Sequence, residues 1–112
     1  MILKREIDGV IKAVRISNLT PHTVTINGVT IEPEGTPARL KTTRERTGDI
    51  CGIPIFKTVL GEVEGLPRKM SSTILIVSRM VKDACPNRDD LFSPSGLIRD
   101  ERGNIIGCEG LE

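Results

Sequence analysis

The chain has 112 residues, enough for a single domain, residues 1–112, that buries roughly two-thirds of the surface its unfolded form exposes, so folding requires no disulfide or metal. Its 16 basic and 15 acidic residues are scattered, and this near-neutral balance argues against the basic surface that binds duplex nucleic acid. The two aromatic residues, Phe56 and Phe92, are too few for the stacking platforms of single-strand binders.

The first predicted element is a hairpin formed by strands at residues 2–7 and 10–16. Both segments carry apolar residues at strand-like intervals, and Asp8-Gly9 between them accommodates the positive φ angles of a tight turn. Residues 18–22, Asn-Leu-Thr-Pro-His, interrupt this pattern. Because Pro21 has no backbone N–H to donate to a central ladder, we expect a loop or a sheet edge there.

A second hairpin is predicted around Asn27-Gly28, the strongest turn signal in the chain. Its strands cover residues 23–26 and 29–31. Residues 36–46 follow as a half-exposed strand, because apolar and basic residues alternate there.

The segment Thr47-Gly-Asp49 is predicted to turn the chain into a strand at residues 50–59. Side chains in a strand alternate between its two faces. Ile53 and Ile55 therefore share one face of this strand, and Phe56 lies on the other.

The core strand is predicted at residues 74–77, the longest run of bulky aliphatic residues in the chain. A run without polar alternation is typical of a strand covered on both faces. Ser78 then offers an N-cap to a short helix, whose apolar residues recur at helical spacing and which Pro86 ends.

Leu91 and Phe92 are predicted to plug the core, and residues 96–108 to form a final hairpin. Together these elements predict an α+β fold, mostly antiparallel β-sheet built from hairpins with one short α-helix. Edge strands in such a fold need cover, so we expect a homo-oligomer.

Three widely spaced cysteines, Cys51, Cys85 and Cys108, form no Cys-x-x-Cys pair and accompany a single histidine. This pattern indicates neither a complete disulfide framework nor a zinc site, and nothing in the sequence implies a cofactor. The cysteine usage favours a reducing compartment, and the charged N-terminal residues match no signal peptide. We therefore predict a cytoplasmic protein that does not bind membranes.

The sequence contains no catalytic signature, and its candidate site is one for anions. His22, the only imidazole, can donate to a bound anion from its loop. Arg79, Arg88 and Arg99 lie at the predicted helix start and in turns, from which they can face a common anion. The commoner alternative is that these arginines form only surface ion pairs with neighbouring acidic residues, each worth about 0–1 kcal/mol.

Paired carboxylates leave hydrolysis or divalent-metal binding open as further alternatives. Glu62 and Glu64 share a face of an extended segment, and Asp89-Asp90 adds two more carboxylates. No neighbouring residue supports either chemistry, so solvated turn residues are the simpler interpretation.

Six motifs cover nearly everything after Ile16, and their combination is specific although no single motif is. They are Asn18-Leu-Thr-Pro-His22, Pro33-Glu-Gly-Thr36 with Ala38-Arg39, Gly61-Glu-Val-Glu-Gly-Leu-Pro67, Ile76-Val-Ser-Arg-Met-Val81, Pro86-Asn-Arg-Asp-Asp-Leu91, and Ile98-Arg-Asp-Glu with Ile106-Gly-Cys108. In this combination the chain resembles a family of uncharacterised small proteins encoded by bacterial and archaeal viruses and by proviruses. Family members usually begin near the first motif, so the resemblance implies that residues 1–16 are an N-terminal hairpin extension.

The resemblance brings no assigned activity, but its viral context implies a non-enzymatic binding protein that sequesters a nucleotide or another anionic signal of host defence. His22, Arg79, Arg88 and Arg99 would then hold the ligand. The alternative is a protein-interaction or structural module in the virion or in host takeover, with a host protein as partner. A small hydrolase is the third alternative.

Overall fold

The computed structural model describes all residues from 1 to 112 and contains ten strands and one helix. In chain order these are β1 (Ile2–Ile7), β2 (Val10–Asn18), β3 (Val24–Ile26), β4 (Val29–Ile31), β5 (Arg39–Ile50), β6 (Ile53–Glu64), β7 (Thr73–Ile76), α1 (Arg79–Ala84), β8 (Leu91–Phe92), β9 (Pro94–Arg99) and β10 (Ile105–Leu111). The predicted mostly β architecture built from antiparallel hairpins is confirmed. The α+β class overstated the helix, because α1 has only six residues.

The strands form two four-stranded sheets and one separate hairpin. The central sheet has the order β1-β2-β7-β8, the covering sheet has the order β4-β3-β10-β9, and β5 pairs only with β6. The hairpins at Asp8-Gly9 and Asn27-Gly28 are confirmed, with φ angles of 50° and 78° at the first turn and 49° and 77° at the second. Positive φ at both central residues is the geometry that Asx-Gly pairs adopt most readily.

Strand β7 lies at the centre of the fold, as predicted from its aliphatic run. Leu75, Ile76 and Val77 have at most 1% of their surface exposed. The sequence predicted antiparallel hairpins and did not predict that β7 pairs in parallel with both β2 and β8. A parallel strand covered on both faces has no polar face to display, which explains the continuous apolar run.

The last two residues of β7 and Val77, which follows them, enter two separate cores. Leu75 and Val77 join what we call the helix-side core, whose other members are Leu19, Ala38, Val81 and Leu91. Ile76 joins what we call the sheet-side core, with Ile16, Val24, Ile31 and Cys108. The predicted role of Leu91 as a core plug is confirmed. The central sheet therefore has α1 on one face and the covering sheet on the other.

Helix α1 begins and ends where the sequence predicts. The Ser78 side chain accepts a hydrogen bond from the backbone N–H of Val81 at 3.3 Å, which makes Ser78 the N-cap. Val81 is the buried residue of the helix, and Pro86 lies two residues beyond its last residue, Ala84. The helix therefore stands directly on the end of β7 and keeps Ser78 at the junction.

The turn predicted at Thr47-Gly-Asp49 is wrong, because β5 continues through these residues to Ile50. The chain reverses instead at Cys51-Gly52, where the φ angles are 49° and 85°. Gly48 has a φ of 159°, which is extended backbone. A cysteine at positive φ is uncommon, so Gly52 was the one residue whose type indicated this turn.

Two hairpins extend from the body of the molecule. We call the β5–β6 hairpin the arm, and the β1–β2 hairpin also has exposed residues along most of its length. The radius of gyration of the Cα atoms is 18.0 Å, against about 13 Å expected for a compact chain of this length. No helix here has the length and apolar character needed to cross a membrane.

Candidate functional site

The candidate site is a cleft of about 720 Å³ that borders the covering sheet. It is lined by the loop that contains His22, by β3, by the junction before α1, and by parts of β9 and β10. Its volume falls within the roughly 300–1,000 Å³ of typical small-molecule sites. We call this space the cleft.

Asn18 fixes the loop on one side of the cleft. This residue is fully buried, and its amide nitrogen donates to the backbone oxygens of His22 at 2.8 Å and Ile31 at 2.9 Å. Its amide oxygen accepts from the backbone N–H of Thr20 at 3.0 Å and lies 2.7 Å from the Thr20 hydroxyl. All four hydrogen-bonding positions of the amide are used, so the loop has one defined path.

His22 lies at the cleft and is the only predicted site residue that lines it. Its backbone is held by Asn18 and by Thr20, whose hydroxyl accepts from the His22 N–H at 3.3 Å. No protein group forms a hydrogen bond with the imidazole. The ring therefore keeps both nitrogens available to a ligand.

Ser78 lines the cleft at the start of α1. The oxygen accepts from the Val81 N–H as the helix cap, which leaves the hydroxyl proton free to donate elsewhere. Thr25 of β3 adds a second hydroxyl to the lining. No Asp or Glu lines the cleft, so a bound anion would meet no carboxylate there.

The opposite part of the cleft is apolar and depends on a close strand contact. Leu97 of β9 and the adjacent pair Ile105 and Ile106 of β10 line it, each with about half of its surface exposed. Gly107 lets β10 approach β3, since a Cβ added there would lie 2.9 Å from the backbone oxygen of Thr25. Glycine is thus required where the two strands meet beside the cleft.

Arg79 follows Ser78 directly but does not line the cleft. Its guanidinium forms ion pairs with Glu112 and, at 3.8 Å, with Asp83 one turn further along α1. The Ser95 hydroxyl donates to Glu112 at 2.8 Å. This hydrogen bond and the positive charge of Arg79 hold the pKa of Glu112 below its usual range.

Arg88 is held within the protein, away from the cleft. Its Nε and NH2 groups each donate at 2.8 Å to one carboxylate oxygen of Asp90, and NH2 also donates to the Pro67 carbonyl at 2.9 Å. The Arg88 hydrogen bonds hold the pKa of Asp90, whose side chain is 4% exposed, below its usual range. These contacts tie the loop before β7 to the start of β8.

Arg99 stabilises the turn between β9 and β10. Its NH1 group donates to the Gly103 carbonyl at 2.8 Å. Asp100 accepts the backbone N–H groups of Arg102 and Asn104 at 2.9 Å in the same turn. The structure therefore does not bring the four predicted residues together at the cleft, and Arg99 serves its own hairpin.

The other sequence candidates have ordinary surroundings. Glu64 pairs with Lys41 at 2.9 Å, and Asp89 pairs with Lys69, which lowers the pKa of Asp89. Cys108 lines the cleft together with His22, but no hydrogen bond joins the thiol and the imidazole. A thiol nucleophile is activated by a base within hydrogen-bond reach.

The cleft was only partly visible in the sequence. His22 was found because it is the single histidine, whereas Leu97, Ile105 and Ile106 were assigned only to a hairpin. The only sequence signal for these three residues was that apolar residues stand in adjacent pairs in the last predicted hairpin and do not alternate with polar ones. Ser78 was recognised as a cap but not as a group lining a cleft.

Comparisons of the chain with models of protein families, with curated proteins and with solved structures found no match. The function is therefore inferred from the chemistry of the cleft.

Proposed function

We propose that the protein binds a nucleotide, or a related small anionic ligand, in the cleft and holds it unmodified. The observation that carries this proposal is the composition of the cleft. One part is apolar, another presents hydrogen-bond donors, and no carboxylate lines either. A nucleotide has a similar division, with a flat base whose faces suit apolar contact at one end and a phosphate at the other.

The apolar part suits the base. Leu97, Ile105 and Ile106 are 52%, 55% and 57% exposed, so each has surface that a ligand can cover. Removing apolar surface from water stabilises the bound state by roughly 25 cal/mol for each Å² that the ligand covers. Binding would therefore remove an apolar surface that the free protein leaves in contact with water.

The polar part suits the phosphate. The His22 ring and the Ser78 hydroxyl both have protons without protein acceptors. Arg79 is the neighbour of Ser78, and its contacts to Glu112 and Asp83 are exposed ion pairs of small net worth. His22 and Ser78 line the cleft, so we assign the direct contacts to them. Arg79 does not line the cleft and would act only through its positive charge. Arg99 would support the site through the β9–β10 turn that it holds, whereas Arg88 holds loops that do not line the cleft.

The resemblance to virus and provirus proteins that the sequence motifs imply leads us to propose sequestration as the purpose of binding. A protein that captures a nucleotide signal of host defence acts by stoichiometry and needs no chemical step. We propose the cytoplasm of the host cell as the place of action.

The experiment is thermal unfolding of the purified protein against a panel of cyclic and linear mono- and dinucleotides. A ligand at a hundred times its Kd adds about 2.7 kcal/mol to the free energy of unfolding, a rise in Tm of roughly 10 °C. The bound nucleotide is then released by denaturation and analysed by chromatography. Recovery of the unmodified compound supports sequestration, whereas an altered compound shows an enzyme and overturns it.

A matched pair of variants tests whether the cleft is the binding site. Leu97→Glu places a carboxylate among the lining residues and should abolish the rise in Tm. Ile98→Glu changes the next residue of β9, which is similarly exposed and does not line the cleft, and should leave the rise intact. Equal loss in both variants, or no rise with any nucleotide in the wild type, would contradict the proposal.

A protein-interaction module is the second candidate function. The observation that favours it is the apolar surface exposed on the two projecting hairpins, which includes Ile11 at 70% and Ile53 at 64%. Contiguous exposed apolar patches mark interaction surfaces. If the nucleotide panel fails, affinity capture of a host protein becomes the test of this candidate.

A further inference from the structure

The arm has almost no cover within its own chain. From Lys41 to Glu62, every residue except Val59 is exposed. An isolated two-stranded hairpin is at best marginally stable in water. The arm therefore lacks the third layer that such an element normally requires.

The strand register divides the arm into two faces. What we call the isoleucine face contains Ile53, Ile55, Lys57 and Val59 of β6 with their β5 partners Ile50, Glu45 and Thr43. Ile50 and Ile53 oppose each other beside the turn and are 63% and 64% exposed. This face thus ends in a cluster of three uncovered isoleucines.

What we call the phenylalanine face contains Phe56, Thr58 and Leu60 with Arg44 and Arg46. The Arg44 guanidinium lies 4.0 Å from the centre of the Phe56 ring. If two copies met through this face, they would bring four arginines together, and such crowding of like charge disfavours association. The phenylalanine face is therefore poorly suited to contact itself.

The isoleucine face is complementary to itself in charge. Glu45 and Lys57 are direct partners across the hairpin, yet they form no ion pair within 4 Å. Both charges therefore remain available to a second molecule. If two copies were related by a two-fold axis parallel to the arms, β5 of one copy would lie over β6 of the other. Glu45 then faces Lys57 of the other copy.

The attachment of the arm leaves the isoleucine face accessible. At the base, Leu40 and Val63 are paired and pack against the helix-side core. They alternate with Lys41 and Glu64, which form an exposed ion pair on the other side. A register shift between Leu40 and Thr42 separates this base from the rest of the arm. Beyond the shift, every residue of the isoleucine face except Val59 is exposed. A second copy can therefore reach the isoleucine face over most of its length.

We propose that the arm is a self-association element, in which the isoleucine face packs on the same face of a second copy around a two-fold axis parallel to the arms. Ile50 of one copy then covers Ile53 of the other, and Thr43 covers Val59. Such an isologous contact closes on itself as a dimer. The proposal does not depend on the proposed ligand.

The first test is sedimentation of the wild type and of two matched variants. Ile53→Lys and Leu60→Lys change residues of the same strand with 64% and 60% exposure, but on opposite faces. Ile53→Lys should weaken self-association by about thirtyfold, the size of a hot-spot substitution, and Leu60→Lys should leave it nearly unchanged. A monomeric wild type, or greater loss in Leu60→Lys, would overturn the proposal.

The second test uses the charges, with no change to apolar surface. Glu45→Lys and Lys57→Glu each place like charges across the two-fold axis, so each variant alone should dissociate. When the two are mixed, opposite charges face each other again, and a heterodimer should form. Failure of the mixture to associate, with each variant folded as judged by circular dichroism, would contradict the contact.

The third test exploits the exposed thiol at the end of the arm. Stacked sheets lie about 10 Å apart, so parallel arms place the two Cys51 residues within reach of a short bismaleimide linker. The wild type should give a covalent dimer, and Cys51→Ser should give none. A dimer in sedimentation that the linker cannot join would show another arrangement and overturn the parallel packing.

Discussion

The best-defined polar residue of the molecule is Asn18, which has no exposed surface and four hydrogen-bonding contacts. Asn18→Ala should lower the free energy of unfolding by about 3 kcal/mol, because it leaves the Ile31 carbonyl and the Thr20 N–H without their partners in a buried place. Chemical denaturation measures the loss. The exposed Asn104 is the control, and Asn104→Ala should change stability by less than about 0.5 kcal/mol.

The pairing of Arg88 with Asp90 makes stability depend on acid pH. The pKa of Asp90 is below its usual range in the folded protein, so the contribution of the pair is complete above the unfolded value of about 4. It is lost as the pH falls through the lower, folded value. The free energy of unfolding of the wild type should therefore exceed that of Asp90→Asn by less and less as the pH falls below about 5, because the Asp90 carboxylate becomes protonated.

Denaturation of both proteins across this pH range measures the difference. Other carboxylates with lowered pKa values, such as Glu34 beside Arg15, titrate in both proteins and cancel in the comparison. At neutral pH, Arg88→Ala should be destabilised by about 3 kcal/mol, because it leaves a buried carboxylate unpaired. A pH-independent difference between wild type and Asp90→Asn would show that the pair is not ionised as described.

At the scale of elements, the sequence predicted those parts of the fold whose signals are local. Asx-Gly pairs located two hairpin turns, and Ser78 located the start of the helix. The apolar run of β7 is typical of a parallel strand, but its partners β2 and β8 are distant in sequence and no local pattern identifies them. The turn at Cys51 was missed because its residue type is not one that usually adopts positive φ.

Strand β10 offers a direct comparison between two of its glycines. Gly107→Ala should destabilise the protein by about 1–3 kcal/mol and weaken any ligand binding, because the new Cβ would press on the Thr25 carbonyl and separate β3 from β10 beside the cleft. A Cβ added at Gly110 would have no other atom within 4 Å, so Gly110→Ala should be neutral or slightly stabilising. Thermal unfolding ranks the two variants, and equal effects would contradict this account.

At the scale of the whole molecule, shape was the property that the sequence revealed least. Apolar residues in the arm follow the same strand pattern as those of a core, and only the structure shows that Ile50 and Ile53 remain uncovered. The cleft was equally hidden, because its lining comes from segments that meet only after folding. The residue types identified His22 and the three arginines as candidate ligand-binding residues. The fold then places the arginines outside the cleft, which the residue types alone do not show.

The extended shape predicts that the arm and the body differ in stability when the protein is monomeric. In Ile53→Lys, the backbone amides of the exposed part of the arm should exchange with solvent far faster than those of β7. A lone hairpin opens easily, whereas β7 is buried on both faces. If the wild type dimerises as proposed, contact with the second arm should slow exchange in β5 and β6 and leave β7 unchanged. Hydrogen exchange followed by mass spectrometry resolves the two regions. If the arm of the monomeric variant were as protected as β7, the hairpin would be stable by itself, and the need for cover by a second copy would no longer support the dimer.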